Sequence, residues 1–362
     1  MLQRKAYEHL VKWKNTPDKK ALLITGARQI GKTYIIRKFA EENYSNFIEI
    51  NFITNPDAAK IFSGDLNAET ILINLTAYTQ KPLVKGDTLI FFDEIQECPS
   101  ARTAIKFLVD DGQFDYIESG SLLGVRYKEV KSYPVGYEEN YRMYPLDFEE
   151  FATANGIQPQ TIEYLKKCYD NKETVTEAVH QSMLKLFQYY IIVGGMPAVV
   201  QKFVDTKDIG EVLKIQKDIL DLYRQDISKY SDNNKEKIKS IFDLIPAQLN
   251  DRNRRFTLSD IKNSARMLRY ETSFNWLADA GVALHCYNIT EPVLPLELNL
   301  QNNLFKLFLC DTGLLCAASM GNIQFDILSG DLSVNMGSIL ENVFAQELVS
   351  NGFLLRYFNK KN

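Results

Sequence analysis

The chain has 362 residues, 45% apolar and 24% charged, so it is long enough for about two or three domains and has the balance of a soluble globular protein. A net charge of -4 excludes a global positive field that would draw it to nucleic acid or anionic lipid, while leaving room for a local basic surface. No apolar run reaches the roughly eighteen residues of a membrane span, and the opening MLQRKAYEHLVKW lacks the pattern of a secretory signal. The five cysteines form no C-x-x-C pair, so free thiols in a reducing, cytoplasmic compartment are expected. Three histidines, at 9, 180 and 285, make a zinc site an unattractive reading.

In chain order, an amphipathic opening helix carrying His9 leads to the apolar run Ala21 to Ile24. Gly26 to Thr33 then read GARQIGKT, which fits the phosphate-binding pattern G-x-x-x-x-G-K-[ST]. The helical pattern Tyr34 to Ala40 follows at once, completing the strand, loop and helix that the motif requires. Such a loop aims backbone N–H groups and a helix N-terminus at phosphate. The expected nucleotide contacts are Gly26, Ala27, Arg28, Gln29, Ile30, Gly31, Lys32, Thr33 and Tyr34. Lys32 is expected to reach the β- and γ-phosphates, and the Thr33 hydroxyl to ligate Mg2+.

Phe47 to Phe52 make a strand after the P-loop helix, and Thr88 to Glu94 (TLIFFDE) a buried strand ending in two acids. Asp93 is expected to fix the magnesium ion and Glu94 to polarise the attacking water. Phe114 to Glu118 form another strand, delivering Ser119-Gly120-Ser121. Ser119 is the first choice for a hydroxyl that senses the γ-phosphate, and Ser121 the second. Helical stretches between these strands predict a parallel sheet with helices on both faces. Arg28, Arg102, Arg126 and Arg142 are all candidates to neutralise developing phosphate charge, in cis or on a neighbouring subunit, and spacing does not choose between them. The lack of an N-K-x-D element favours ATP over GTP by elimination.

Beyond this region, Tyr144 to Phe151 (YPLDFEEF) read as a strand exit capping a helix, with Asp147 and Glu150 as a capping box. Helical patterns dominate from Ile162 to Leu244, with a forced turn at Gly194 to Pro197. The charges between Ile215 and Tyr230 fit a solvated helical face, with a polar relay through Arg224 and Asp226 as the alternative. Lys237 to Pro295 predict short helices and a wing strand at Cys286 to Ile289, the outline of a winged helix-turn-helix. Arg252, Arg254, Arg255, Lys262, Arg266 and Arg269 give it local positive charge, suited either to DNA or to an acidic protein surface. A strand turning into a helix at Asp311, a helix over Gly337 to Asn351 with Glu341 and Glu347, and a strand at Phe353 to Phe358 complete the chain. One helix and one strand are little for a closed domain, so an incomplete region is expected there.

The ordered set GARQIGKT, LIFFDEIQ, ESGSLLG, YPLDFEEF, YYIIVGGMPAVV, FKLFLCDTGLL and GSILENVFAQEL resembles a family of prokaryotic AAA-type ATPases carrying a C-terminal DUF4143 region. The resemblance covers essentially the whole chain. It implies an α/β P-loop NTPase core at 1–155, a helical lid-like region at 156–234 and a winged-helix-like domain at 235–298. An incomplete restriction-endonuclease-like region would follow at 299–362. The family's nucleotide residues carry over to Gly31, Lys32, Thr33, Asp93 and Glu94, with Ser119 as sensor, while Glu341 resembles the helical glutamate that opens the nuclease-like region. The expected function is Mg2+-dependent ATP hydrolysis driving a conformational switch, with a protein partner or self-association and no membrane. Two alternatives stand beside it: an ATP-controlled DNA-binding regulator, and a nucleotide-binding interaction module with little turnover.

Overall fold

The computed structural model describes residues 2–121, 134–229, 234–251, 255–257, 261, 269–319, 327–328 and 336–359. The chain divides into two compact units, Arg4–Met143 on the one hand and Tyr144–Asn362 with Met1–Gln3 on the other.

The first unit opens on helix α1 (Lys5–Lys14), which buries Ala6, Leu10 and Trp13, a stripe at helical spacing. Strand β1 (Ala21–Thr25) follows, then α2 (Lys32–Asn43), β2 (Asn46–Asn51), a 3-10 turn (Pro56–Phe62) and α3 (Ala68–Thr79). Asn67 caps α3, its side chain accepting from the Thr70 N–H at 2.8 Å. Strand β3 (Thr88–Asp93), helix α4 (Pro99–Asp111), β4 (Asp115–Gly120) and β5 (Glu138–Arg142) complete the unit. The five strands are all parallel, in the order β2-β3-β4-β1-β5.

Alternation along the strands divides the apolar residues between two layers. Leu23, Ile48, Ile50, Ile90, Phe92 and Tyr116 pack against the 3-10 turn, α3 and α4 through Phe62, Ile71, Leu75, Ala101, Ile105 and Leu108. Leu22, Ile24, Leu89, Phe91 and Ile117 point to the opposite face and are equally buried. Both faces are therefore covered, which is why β1 and β3 read as unbroken apolar runs rather than as alternating ones. Each such side chain contributes about 1.5–3 kcal/mol on burial.

One charged cluster lies inside this core. Arg102 of α4 donates through Nη1 to Glu118 Oε2 of β4 at 2.7 Å and through both Nη atoms to Glu138 of β5, with Nη2 at 2.7 Å from Oε1. Burial opposes charge on the guanidinium, but Glu118 and Glu138 outweigh it and raise its pKa further. Burial pushes the Glu118 carboxyl up to about 7 against the pull of Arg102.

The second unit is helical with a small mixed sheet. Its helices are α5 (Phe148–Ala154), α6 (Pro159–Asn171), α7 (Glu177–Val193), α8 (Pro197–Thr206), α9 (Ile209–Ser228), α10 (Lys235–Asn250) and α11 (Glu271–Asp279). Strands β6 (Ala283–Ile289) and β7 (Leu300–Leu309), helices α12 (Thr312–Ala318) and α13 (Met336–Ser350) and strand β8 (Arg356–Phe358) follow. The capping box at α5 is present, with Glu150 N–H on Asp147 Oδ1 at 2.8 Å and Asp147 N–H on Glu150 Oε2 at 3.1 Å. The segment read as a wing strand is the centre of the sheet: β6 runs antiparallel to β7 and parallel to β8. Arg252, Arg254, Lys262 and Arg266 of the expected basic cluster lie outside the described residues, as does Leu258 to Asp260.

A buried polar knot ties this unit together. Asp311 accepts from the Gly195 N–H at 2.5 Å and the Leu314 N–H at 2.9 Å. Gln346 of α13 accepts from the Thr312 N–H and donates to the Tyr190 hydroxyl, at 2.9 and 2.8 Å. That hydroxyl lies 2.9 Å from Leu146 O and 2.7 Å from Glu347 Oε1, the two acceptors for its one proton. Close approach demands glycine here, since a Cβ on Gly195 would lie 2.0 Å from Leu146 O and one on Gly313 would lie 2.3 Å from Val193 O. Arg224 pairs with Asp221 and Asp243 at 2.8 and 2.9 Å, while Asp226 on the same helix is buried. Glu341 pairs with Lys306 at 2.7 Å.

Candidate nucleotide-binding site

A parallel sheet brings the carboxyl ends of its strands to one edge. The register sets Thr25 beside Gly120 and Arg142, and Asn51 beside Asp93. Strands β1 and β3 are not neighbours; β4 lies between them. The loop after β1 and the acids ending β3 therefore face each other across Ser119, and this is what brings the two sequence motifs together.

The loop is built by backbone geometry. Gly26 has φ +136°, and a Cβ there would lie 2.3 Å from Met143 O. Gly31 sits at φ +87° as the N-cap of α2. Gln29, at φ +66°, takes a left-handed conformation that favours glycine, while Ala27 and Ile30 are buried beneath it. The Ile30 carbonyl accepts from Arg4 Nη1 at 3.1 Å. Lys32 folds back on its own loop, donating to Gly26 O at 3.0 Å and to Ala27 O at 2.8 Å. Burial drives its pKa down to about 8, although nearby Glu94 and Asp93 pull the other way.

Asp93 is the hub. Its Oδ2 accepts from Thr33 Oγ1 at 3.1 Å and from Asn51 Nδ2 at 2.9 Å. Its Oδ1 accepts from the Ser119 hydroxyl and from the Glu94 N–H, the latter at 3.1 Å. Glu94 leaves the strand in a left-handed conformation, φ +53°. Its Oε2 accepts from Gln96 Nε2 at 2.6 Å and lies 3.5 Å from Ser121 Oγ. Arg28 Nε reaches Ser121 Oγ at 3.3 Å, joining the loop to this acid through one hydroxyl. A threonine hydroxyl and a carboxylate at this spacing are hard oxygen donors, which fit Mg2+ completed by phosphate oxygens and water.

Of the residues expected from sequence, Thr33, Asp93, Glu94, Ser119, Ser121 and Arg28 join one hydrogen-bonded cluster, while Lys32 is bonded to Gly26 O and Ala27 O and feels the charge of both acids. Tyr34, 59% exposed, lies outside it. Arg102 is corrected: it is a core ion-pair residue with a side chain 3% exposed, not a group poised for phosphate. Arg142 ends β5 at the carboxyl edge, and Arg126 lies outside the described residues. Asn51 and Gln96 were not singled out, because a single amide in a strand end or a short turn carries no periodic or motif signal.

Residues 18–152 match an AAA domain family, AAA_14, and residues 184–324 match a domain of unknown function, DUF8612. No curated protein matches the chain. Among solved structures, the Walker-type ATPase PABY2304 of Pyrococcus abyssi is similar at a TM-score of 0.50 and 14% identity, covering 88% of this chain and 96% of that one. The Holliday junction branch migration motor RuvB of Thermotoga maritima aligns at a TM-score of 0.33 and 14% identity, over 80% of this chain and 90% of its own. The Orc1 protein of Aeropyrum pernix, solved in complex with DNA, aligns at 0.33 and 12%, over 91% and 93%. At 14% identity, the likeness to the Pyrococcus protein is one of fold.

The DUF8612 match overturns the resemblance to a DUF4143 family, and the restriction-endonuclease-like reading of 299–362 with Glu341 as its opening residue loses the resemblance it rested on. The motifs that suggested it, CDTGLL and ENVFAQEL, hold Asp311, Gly313 and Gln346, whose contacts are those of the buried knot. Such contacts record how a chain packs, not what it cleaves. The chain carries an AAA-type ATPase domain with a Walker-type P-loop over residues 18–152, followed by a distinct DUF8612 domain over residues 184–324.

Proposed function

We propose that the chain binds ATP with Mg2+ at the P-loop edge and hydrolyses it, and that turnover works a conformational switch. Lys32 stabilises charge on the β- and γ-phosphates, exchanging its bonds to Gly26 O and Ala27 O for phosphate oxygens. The backbone N–H groups of Gly26 to Thr33, with Tyr34 following, cradle the phosphate chain. Thr33 and Asp93 hold the magnesium ion, which neutralises phosphate charge when bound. Glu94 orients the attacking water and takes its proton. Ser119, bonded to Asp93, registers the γ-phosphate from the strand between the two motifs.

The single observation behind this reading is the 3.1 Å bond from Thr33 Oγ1 to Asp93 Oδ2, which joins the P-loop helix to the acidic strand end. Its test is Glu94→Gln in the full chain. ATP binding should stay within about twofold while hydrolysis falls about 10²–10⁴-fold, the usual worth of a general base. Undiminished hydrolysis in that variant would remove Glu94 from its role.

A further inference from the structure

We propose that Gln96 is a positioning residue for hydrolysis: it clamps one carboxylate oxygen of Glu94 so that the other is left for the attacking water. This rests on the reading of Glu94 given above. Strand β3 ends at Asp93, and Glu94 breaks from the pleat at φ +53°. The 3-10 turn Ile95–Glu97 then returns the chain, setting Gln96 two residues on beside the same carboxylate. Gln96 Nε2 donates to Glu94 Oε2 at 2.6 Å, short enough for a charge-assisted bond. The contact from Ser121 Oγ, at 3.5 Å, meets the same oxygen. Among the described residues, no side chain is bonded to Oε1, so the carboxylate is held at one end only.

The cost of this arrangement argues that it is not simple packing. Gln96 is 7% exposed, and its own Oε1 is buried without a hydrogen-bond partner among the described residues. An unmet buried acceptor is destabilising, and a leucine would fill similar space without one. The amide orientation is also fixed, because turning it over would set carbonyl oxygen against carboxylate. A left-handed glutamate is a further local cost that rotates the acid out of the strand. What these two unfavourable features share is the fixed carboxylate of Glu94. An unclamped glutamate would sample several rotamers, few of which present an oxygen to water in line with phosphate.

The experiment is single-turnover ATP hydrolysis by the full chain carrying Gln96→Leu, Gln96→Asn, Glu94→Gln, and Glu94→Gln with Gln96→Leu together. Gln96→Leu should lower the hydrolysis rate about tenfold, the worth of a bond to a charged group, with nucleotide affinity unchanged within about twofold. Gln96→Asn, which keeps the amide on a shorter stem, should recover part of the loss. In the Glu94→Gln background, Gln96→Leu should add nothing further. An unchanged rate in Gln96→Leu overturns the proposal. So does a loss that persists undiminished in the double variant, or one matched by lost nucleotide affinity and thermal stability, because either marks a packing role. Wild-type hydrolysis by Glu94→Gln overturns instead the reading on which the proposal rests, so the two failures are distinguishable.

Discussion

Lys32 shows how one residue's surroundings set its chemistry. Its ammonium is held by two loop carbonyls in a buried position, and desolvation brings its pKa down to about 8. Phosphate binding needs the charged form. Below the free-state pKa the lysine is charged both before and after ATP binds, so it contributes no pH dependence to affinity. Above it the free protein has lost the proton and the complex must regain it. Affinity should then fall by up to about tenfold per pH unit, with proton uptake on binding. Calorimetric titrations at about pH 7 and about pH 9, in buffers of different ionisation heat, measure this directly. Lys32→Arg, whose charge does not titrate, should bind without the pH dependence. Equal affinity and no extra proton uptake at the higher pH would remove the depressed pKa from the account.

At the scale of elements, the second unit depends on backbones that approach more closely than any side chain allows. The turn after α7 presents the Gly195 N–H to Asp311, while the Gly195 carbonyl accepts from the Leu146 N–H at 2.7 Å. The intruding atom for a Cβ at Gly195 would be backbone, not the end of a flexible side chain. Gly195→Ala should therefore cost about 1–3 kcal/mol or more of stability, as overpacked cores do, and lower the melting temperature of this unit. An alanine variant as stable as wild type would show that the turn relaxes freely. Much of this was legible in the sequence: the capping box of Asp147 and Glu150, the break at Gly194 to Pro197 and the helix begun by Asp311 are local signals. The strand at Cys286 to Ile289 was legible too, but its place in the sheet was not, since whether β6 lies at an edge or the centre depends on β7 and β8.

For the whole molecule, two compact units in one chain should unfold in more than one step. A ligand that binds only the folded P-loop unit raises that unit's stability by mass action, about 2.7 kcal/mol at a hundredfold excess over its dissociation constant. Scanning calorimetry with Mg2+ and ATP should thus shift the transition of Arg4–Met143, and Lys32→Ala should abolish the shift. No shift in the unaltered chain, at saturating ATP, would contradict nucleotide binding at the loop. Among the described residues no helix is long and apolar enough to cross a membrane.

The P-loop, the acidic strand end and the parallel α/β core follow from local sequence, because turn chemistry and apolar runs are written within a few residues. Tertiary structure alone decided which polar groups meet. Strand order put Ser119 between the two motifs, helix packing took Arg102 into the core beside Glu118, and the left-handed turn at Glu94 brought the Gln96 amide onto that acid. Those outcomes turn on distances of a few ångströms between segments far apart in the chain or displaced by a left-handed turn, and no linear spacing encodes them.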